Sequence, residues 1–410
     1  MHDLTQDRPT TVSAAAPDPD PDEVLRVCAD LIAAPSENPG GDEEAAAAVV
    51  ERYLGSSGFH IRRVYARPGR PNVLATLDRG PGPRLILQAH LDTKPAGPPA
   101  AWSGDPFTAR VTDGLMYGLG ACDTKGGLAA MLVAADRLAR RSDWQGQLEV
   151  QGVADEEDGS ALGAEFLLAE GLLIADAAVV SEPTGALPSP AQLGNAWAEV
   201  TIRTPGAHAG TPWKGIDAVE VARRYVAVLE RLLREMPTDP AFPHHPRLNV
   251  GHLMAPGHPG TLSSSCMLRC DIRVLPHQRH ATVMDLYDRA AREVADPPAG
   301  VSLHVGPYQG GGCESHAIAV DHPLLLAFDA AAQALGVPSG RCSFAGGSDA
   351  RYFARAGTPA VVHGPGDLDR AHAPDEFVPI SELRLAARQI ELVAADFLQS
   401  PGRYPPGRQI

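Results

Sequence analysis

The sequence has few cysteines, no long apolar run and no cluster of basic residues. Its six cysteines are too few for a disulfide scaffold, and Cys266 and Cys270 lie four apart in a predicted strand, a spacing that favours buried packing. No apolar stretch approaches the roughly 20 residues that a membrane-spanning helix needs. No basic run exceeds two residues and the formal net charge is −15, so we expect binding neither to nucleic acid nor to a membrane.

The first residues also lack the pattern of a secretory signal. Residues 1–5 show no basic segment followed by an apolar one. Together with the scarcity of cysteine, this predicts a cytoplasmic protein. Residues 1–21 end in a proline-rich stretch that suits neither a helix nor a sheet, so we expect a disordered leader there.

Length and composition indicate a globular chain of two domains. One hydrophobic core rarely grows past about 250–300 residues, and this chain has 410. Its apolar fraction of 44% is enough for a packed interior. The 41 glycines and 38 prolines indicate many turns and remain below the level of a low-complexity chain.

Short apolar runs alternate with helical patterns near both ends of the chain. This alternation predicts an α/β domain in which a central, mostly parallel sheet is flanked by helices. The predicted strands are 72–77, 84–89, 148–154, 176–181 and 360–363, and the predicted helices include 126–140, 161–170, 324–335 and 381–399.

The middle of the chain has a different pattern. Residues 194–308 read as strand, helix, strand, strand, helix, strand, which is the order of a ferredoxin-like α+β domain. We therefore predict a discontinuous catalytic domain at 22–193 and 309–400, interrupted by an inserted domain at 194–308. The glycines at 310–312 are predicted to form a hinge, and 401–410 are a tail.

Acidic and histidine side chains follow several of the predicted strands and turns. In open α/β sheets, ligands bind beyond the carboxyl ends of the strands, and zinc takes imidazole and carboxylate ligands. Taken singly, each of these side chains suits a surface position, a solvated loop or a helix cap. Their joint occurrence predicts a metal site. The residues are His90, Asp92, Asp123, Asp155–Asp158, Glu182 and His372, the last followed by Asp375 and Glu376.

In their order and spacing these motifs resemble the dinuclear zinc M20 metallopeptidases. The pattern is most similar to the branch that contains acetylornithine deacetylase and succinyl-diaminopimelate desuccinylase, and it covers roughly residues 22–400. The motifs are His90-Leu-Asp92-Thr, Asp123 before Lys125-Gly-Gly, Glu156-Glu157, Glu182-Pro-Thr and His372.

The resemblance implies two divalent metal ions per chain, zinc first, with cobalt or manganese as alternatives. In the family pattern, His90 and Glu182 hold one ion. Glu157 and His372 hold the other, and Asp123 bridges the two. With a pair of cations at such a site, a water becomes acidic enough to attack an amide carbonyl near neutral pH.

The resemblance also implies roles for four further residues. Asp92 fixes the imidazole tautomer of His90, and Glu156 is the general base that takes a proton from the water. His208 reaches across a dimer interface to stabilise the oxyanion, or is a loop histidine without a role. Arg351 pairs with a substrate carboxylate, or forms a structural ion pair.

One departure from the family pattern concerns the substrate. Family members often carry an asparagine in the turn before the strand that ends at Asp271–Arg273, where this chain has Gly-Thr-Leu-Ser at 260–263. The contacts that this asparagine makes with the substrate are therefore in question, and with them the exact substrate.

The expected function is a metal-dependent amidohydrolase acting on a small N-acyl amino acid, in a homodimer formed through the inserted domain. A dipeptidase or carboxypeptidase with the same machinery is the alternative, because pocket walls rather than the hydrolytic centre decide specificity. A non-catalytic binding protein on this scaffold is disfavoured, since all five ligand positions and Glu156 are present.

Overall fold

The computed structural model describes residues 18, 20–244, 246–295 and 300–399. The predicted tail at 401–410 and most of the predicted leader at 1–21 lie outside these residues. At the described end of the leader, Arg137 Nη2 lies 2.8 Å from Asp18 Oδ1 and donates to the main-chain oxygen of Asp20 at 3.0 Å. These contacts attach the start of the described chain to the helix that carries Arg137.

The helices of the described residues include none long and apolar enough to cross a membrane. In chain order they are α1 (Glu23–Ile32), α2 (Glu44–Gly55), α3 (Lys125–Ala139), α4 (Ala164–Ala169), α5 (Ala218–Arg234), α6 (His280–Ala295), α7 (Pro323–Leu335), α8 (Ala350–Arg355) and α9 (Ile380–Gln399).

The strands range from two to twelve residues. In chain order they are β1 (His60–Arg67), β2 (Arg70–Asp78), β3 (Arg84–His90), β4 (Arg110–Thr112), β5 (Leu115–Tyr117), β6 (Gln147–Val153), β7 (Ala177–Val180), β8 (Ala191–Gln192), β9 (Gly194–Arg203), β10 (Ala207–His208), β11 (Leu248–Met254), β12 (Thr261–Leu262), β13 (Ser265–Val274), β14 (Ser302–Cys313), β15 (His316–Ala317), β16 (Ala360–Val362) and β17 (Phe377–Pro379).

The chain divides into two compact units. The first consists of the described residues of Met1–Pro190, Ile318–Cys342 and Ser348–Ile410, and the second of those of Ala191–Ala317 and Ser343–Gly347. The sequence predicts that the inserted domain begins after residue 193 and ends at residue 308. The functional labels, a catalytic domain and an inserted dimerisation domain, stay predictions.

A six-stranded mixed sheet forms the centre of the first unit, in the order β1-β2-β6-β3-β7-β16. The strands β6, β3, β7 and β16 are parallel, and β2 and β1 are added antiparallel at one edge. The apolar runs of β3, β6 and β7 are buried almost throughout, as expected for parallel strands covered by helices on both faces. The α/β prediction is confirmed.

Helix α3 lies inside the first unit and positions the turn that precedes it. It packs against α1, α9 and β3, and its residues are buried from Lys125 to Leu138. Small residues make this possible: a Cβ at Gly127 would lie 1.7 Å from Ser181 Oγ. The start of α3 is thereby held against the end of β7, where Thr124 and Ser181 share a hydrogen bond of 2.9 Å.

A small sheet of β4, β5 and β17 brings a late segment of the chain beside this turn. Strand β17 pairs with β5, so that Phe377 lies opposite Tyr117. The residues just before β17 include His372, and those just after β5 lead to Asp123. The pairing therefore connects two segments about 250 residues apart in sequence.

The second unit contains the ferredoxin-like arrangement. Its antiparallel sheet has the order β11-β13-β9-β14, with α5 and α6 packed against it. Strand β13 alternates strictly, and its inward side chains include Cys266 and Cys270, both buried free thiols. Their predicted role in packing agrees with this position.

The glycines at 310–312 do not form the predicted hinge between elements. They lie within β14, and the pairing of β14 with β9 shifts register between Pro307 and Gly312. All three glycines have positive φ angles, between 79° and 97°. Glycine takes these values without a steric penalty, which permits an irregularity inside the strand.

Candidate metal centre

Two histidines far apart in sequence face the two oxygens of one aspartate. His90, the last residue of β3, places Nε2 3.1 Å from Asp123 Oδ1. His372 Nε2 lies 3.1 Å from Asp123 Oδ2 and 3.1 Å from Glu157 Oε1. Each oxygen of Asp123 therefore faces a different imidazole, as a carboxylate bridging two cations requires.

The atoms offered by three of these residues are close enough to share a cation. One ligand atom each from His90, Asp123 and Glu157 lies within 4.8 Å of the others. Imidazole nitrogen and carboxylate oxygen together suit zinc and related divalent cations. The residues present therefore fit a metal site.

The electrostatics of the two imidazoles agree with that fit. Burial opposes protonation of His90, yet its hydrogen bond to Asp123 raises the pKa well above the ordinary histidine value. Hydrogen bonds to Asp123 and Glu157 raise the pKa of His372 to about 10. The carboxylates favour positive charge beside these nitrogens, and a divalent cation supplies such charge.

Glu182 is buried just after β7, at the same edge of the sheet as His90, because β3 and β7 are parallel. Burial, together with the negative charges of Asp123 and Glu156, raises its pKa well above the ordinary glutamate value. Burial and neighbouring carboxylates also raise the pKa of Glu156, to about 8. This concentration of acidic groups is costly unless cations compensate it.

The tautomer of His90 is fixed by a main-chain group. His90 Nδ1 lies 2.9 Å from the main-chain oxygen of Asp92 and 3.6 Å from its carboxylate oxygen Oδ1. Because a carbonyl only accepts, Nδ1 donates to it, which leaves Nε2 as the ring nitrogen that can bind a cation on the side of Asp123. The resemblance implied the same tautomer through the carboxylate of Asp92.

The carboxylate of Asp92 also holds the turn that carries both glutamates. Its Oδ1 accepts from the main-chain N–H of Glu156 at 3.2 Å, and its Oδ2 accepts from that of Glu157 at 3.1 Å. Asn38 donates to Oδ2 at 2.9 Å. Asp92 is therefore placed to orient the Glu156–Glu157 turn.

Arg351 is buried in the first unit and has several partners there. It donates to the main-chain oxygen of Ser348 at 2.8 Å and to Ser160 Oγ at 3.3 Å, and its guanidinium lies 4.5 Å from the ring centre of Tyr352. The neighbouring Asp349 accepts from Ser160 at 2.5 Å. These contacts hold the guanidinium of Arg351 within the first unit, and its pairing with a substrate carboxylate stays a prediction.

His208 lies in the second unit, at the end of β10, and is exposed. Its Nδ1 accepts a hydrogen bond from the main-chain N–H of Gly210 at 3.0 Å. A neutral imidazole in this state carries its hydrogen on Nε2 and is a donor, the property that stabilising an oxyanion requires.

A family model described as peptidase family M20/M25/M40 matches residues 86–396. The chain belongs to this family. As an M20 family member it is a hydrolase that acts on amide bonds, and the resemblance drawn from the motifs is confirmed.

Relatives and solved structures agree with the family. An acetylornithine deacetylase of Vibrio vulnificus is 30% identical over 345 residues, which cover 81% of this chain and 86% of the relative. An M20 family metallo-carboxypeptidase from Sulfolobus solfataricus has a TM-score of 0.73 at 19% identity, covering 91% of this chain and 99% of that one. A dinuclear metal-binding peptidase of the M20 family from Bacillus subtilis has a TM-score of 0.69 at 18% identity, covering 92% and 98%.

In this M20 hydrolase a buried arginine, which the sequence analysis missed, supports the turn of the two glutamates. Arg70 Nε donates to Glu43 Oε2 at 2.6 Å, and its Nη2 lies 3.1 Å from Asp155 Oδ1. Asp155, directly before Glu156, has a φ of 70°, a value that costs energy for a non-glycine residue. Asn38 also donates to Asp155 Oδ1, at 3.1 Å.

A second missed role is that of Glu376, which joins the two segments that carry Asp123 and His372. The buried Glu376 accepts main-chain N–H groups of Gly120, Cys122 and Asp123 at 3.0, 2.8 and 2.9 Å. It lies four residues after His372, and its three bonds attach that segment to the Asp123 turn. Its position directly after Asp375 gave no sign of burial in the sequence.

Proposed function

We propose that this chain is a metal-dependent amidohydrolase that cleaves the amide bond of an N-acyl amino acid, of the deacetylase or desuccinylase type. The observation that carries the proposal is the pair of contacts of Asp123, one oxygen to His90 and the other to His372. The acetylornithine deacetylase relative supports the substrate class.

We assign five side chains to two cations. His90 and Glu182 hold one, Glu157 and His372 hold the other, and Asp123 contacts both. Zinc is the first choice for such a donor set, and cobalt or manganese are alternatives. When bound, two such cations polarise the scissile carbonyl and make a water acidic near neutral pH.

Glu156 is the general base in this proposal. It accepts a proton from the attacking water and later donates it to the leaving amine. Glu156 and Glu157 begin a short 3₁₀ turn, in which successive side chains point about 120° apart. One glutamate is therefore available for the proton while the next binds a cation.

The experiment that tests this function is a hydrolysis assay on a defined set of substrates. The protein is treated with a chelator, reconstituted with zinc, cobalt or manganese, and given N-acetylornithine, succinyl-diaminopimelate and simple dipeptides. We expect release of the acyl group only after metal is restored. The variant Asp123→Asn, which keeps the size of the bridging side chain, is the inactive control.

The second candidate is a dipeptidase or carboxypeptidase. The similarity of the fold to the Sulfolobus solfataricus carboxypeptidase supports this second candidate, because one scaffold can carry several substrate specificities. Hydrolysis of dipeptides without hydrolysis of any N-acyl amino acid in the same assay would replace the first proposal with this one.

We further propose a homodimer formed through the second unit. Strand β11 is at an edge of its sheet and exposes Leu253 and Met254, which are 55% and 50% accessible, and Val219 of α5 is 40% accessible. Unpaired edges with apolar side chains are usually covered in native proteins. In that dimer His208 acts across the interface on the oxyanion.

The six free cysteines favour a cytoplasmic location.

A further inference from the structure

Lys94 is a charged side chain beside the candidate metal centre to which the proposed function gives no role. It follows the motif at 90–93 after β3, and its Nζ donates a hydrogen bond to the main-chain oxygen of Glu157. The same nitrogen lies 3.4 Å from Glu157 Oε2. Because Glu157 belongs to the group whose ligand atoms can share a cation, Lys94 contacts the centre through one of its candidate ligands.

The two oxygens of the Glu157 carboxylate have different partners. Oε1 lies 3.1 Å from His372 Nε2, whereas Oε2 lies on the side of the Lys94 ammonium. The side chain of Glu157 is only 5% accessible, so little space is left for the carboxylate to turn. One oxygen is therefore directed toward the second histidine of the centre, and the other is paired with an ammonium.

The main chain on both sides of Lys94 is held by hydrogen bonds. The N–H of Thr93 donates to the main-chain oxygen of Ser36 at 3.0 Å. The N–H of Ala96 donates to Glu37 Oε1 at 2.8 Å. The lysine side chain therefore reaches the turn of the two glutamates from a fixed starting point.

The number of oxygens that a carboxylate offers affects which cation it suits. Zinc in proteins is mostly four-coordinate and accepts imidazole and carboxylate ligands, whereas manganese suits oxygen-rich, six-coordinate sites. A glutamate that offers one oxygen favours the lower coordination number, and one that offers both oxygens favours the higher. The hydrogen-bond partners of a ligating carboxylate determine which of these it does.

We propose that Lys94 is a positioning residue that makes Glu157 offer only Oε1 to its cation and thereby favours zinc over manganese at that position. The inference rests on the proposed function, in which Glu157 and His372 hold one of two cations. An ammonium has three N–H donors, so it serves the main-chain oxygen and Oε2 of Glu157 together. Its positive charge opposes all divalent cations alike, so the ratio of two such cations reports the orientation of Glu157 rather than the charge of Lys94.

Metal competition in Lys94→Met tests this role without measuring activity. The full-length protein is equilibrated with buffered mixtures of zinc and manganese and separated from free ions, and elemental analysis gives both metals per chain. We expect the ratio of zinc to manganese affinity to fall about tenfold for one of the two bound ions, the lower end of the effect of removing a partner of a metal ligand. Lys94 is 36% accessible, so the substitution leaves the core intact.

Two further variants serve as controls. Lys214→Met makes the same substitution at an exposed lysine of the second unit and should leave the ratio unchanged. Lys94→Arg keeps a charged donor and should retain part of the wild-type preference for zinc. An equal change in the affinities for zinc and manganese in Lys94→Met would overturn the proposal, because loss of the charge alone would produce it.

The metal content of the wild type distinguishes failure of this inference from failure of the proposed function. Two zinc ions per chain in the wild type, with an unchanged ratio in Lys94→Met, would refute the role of Lys94 and leave the proposed function standing. Wild-type protein that retains no divalent ion would refute the proposed function first, and the role of Lys94 would fail with it.

Discussion

At the scale of single residues, the proposed site assigns different roles to two adjacent glutamates, Glu156 and Glu157. Glu156 and Glu157 are adjacent in sequence, and the carboxylate of Asp92 accepts hydrogen bonds from the main-chain N–H groups of both. Only Glu157 contacts His372 and belongs to the group that shares a cation. In the proposed mechanism, the geometry of the turn therefore separates the metal ligand from the proton acceptor.

Glu156→Gln tests this separation. The amide cannot accept the proton of the attacking water, so we expect kcat to fall by about 10²–10⁴-fold, the usual contribution of a general base. Metal content, measured by elemental analysis of the purified variant, should stay near that of wild type because the five assigned ligands are intact. Asp158→Asn, an exposed substitution in the same 3₁₀ turn, is the matched control and should retain activity. An active Glu156→Gln enzyme would contradict the assignment.

At the scale of elements, the loop after β6 keeps its shape through a buried charge network. Arg70 of β2 bonds both to Glu43, at the start of α2, and to Asp155. Both side chains of the Arg70–Glu43 pair are almost completely inaccessible, at 3% and 0%. Removing one partner of such a pair leaves an uncompensated buried charge, which is more costly than removing both.

A double-mutant cycle measures this coupling. We expect Arg70→Gln alone and Glu43→Gln alone each to lower the free energy of unfolding by about 3–5 kcal/mol, and the double variant to lose less than the sum. Urea unfolding provides the values. Arg67→Gln, an exposed arginine of the preceding strand β1, should change the free energy by less than about 0.5 kcal/mol. Additive effects in the cycle would show that the pair is not coupled.

A buried histidine between β16 and α9 predicts how stability depends on pH. His363 is fully buried, contacts Gln389 Oε1 at 3.0 Å and lies against the ring of Phe328 at 4.7 Å, and neither partner is charged. Burial lowers its pKa to about 4. The unfolded chain, with an ordinary pKa near 6.5, binds more protons between these values, so stability is lost as pH falls through this window.

The size of the effect follows from the two pKa values. Between pH 7.5 and pH 5, His363 should cost about 2 kcal/mol of unfolding free energy. Urea unfolding at both pH values, for wild type and for His363→Gln, isolates this contribution, because the other titrating groups are the same in both proteins. The loss on acidification should be smaller in the variant by about that amount. An equal loss in both proteins would rule out His363 as the cause.

The same elements show what the sequence predicts and what it misses. Strand β3 was predictable because both of its faces are buried and most of its residues are apolar, and the proposed metal ligands follow where such strands end. Strand β1 was missed because it is mostly exposed and rich in arginine. Arg70 and the role of Glu376 were missed because their partners lie up to 85 and 256 residues away, and no local pattern records such pairings.

At the scale of the whole molecule, the proposed chemistry is divided between the two units. The proposed metal ligands and Glu156 belong to the first unit, and His208 belongs to the second. In the proposed two-fold symmetric dimer, His208 of one copy would act on the substrate bound by the other copy. Function would in that case require the assembly, and a monomer would lack an oxyanion donor.

Subunit mixing tests this arrangement. His208→Ala and Glu156→Gln each inactivate a homodimer, but a mixed dimer contains one site in which both residues are intact. If the variants exchange subunits freely at equal concentration, about half of the dimers are mixed and each has one working site, so activity should return to about a quarter of wild type. Co-expression with two different affinity tags confirms that mixed dimers form. Mixing Glu156→Gln with a chain that carries both substitutions is the control, because no complete site arises. If tagged mixed dimers form and remain inactive, His208 does not act across the interface.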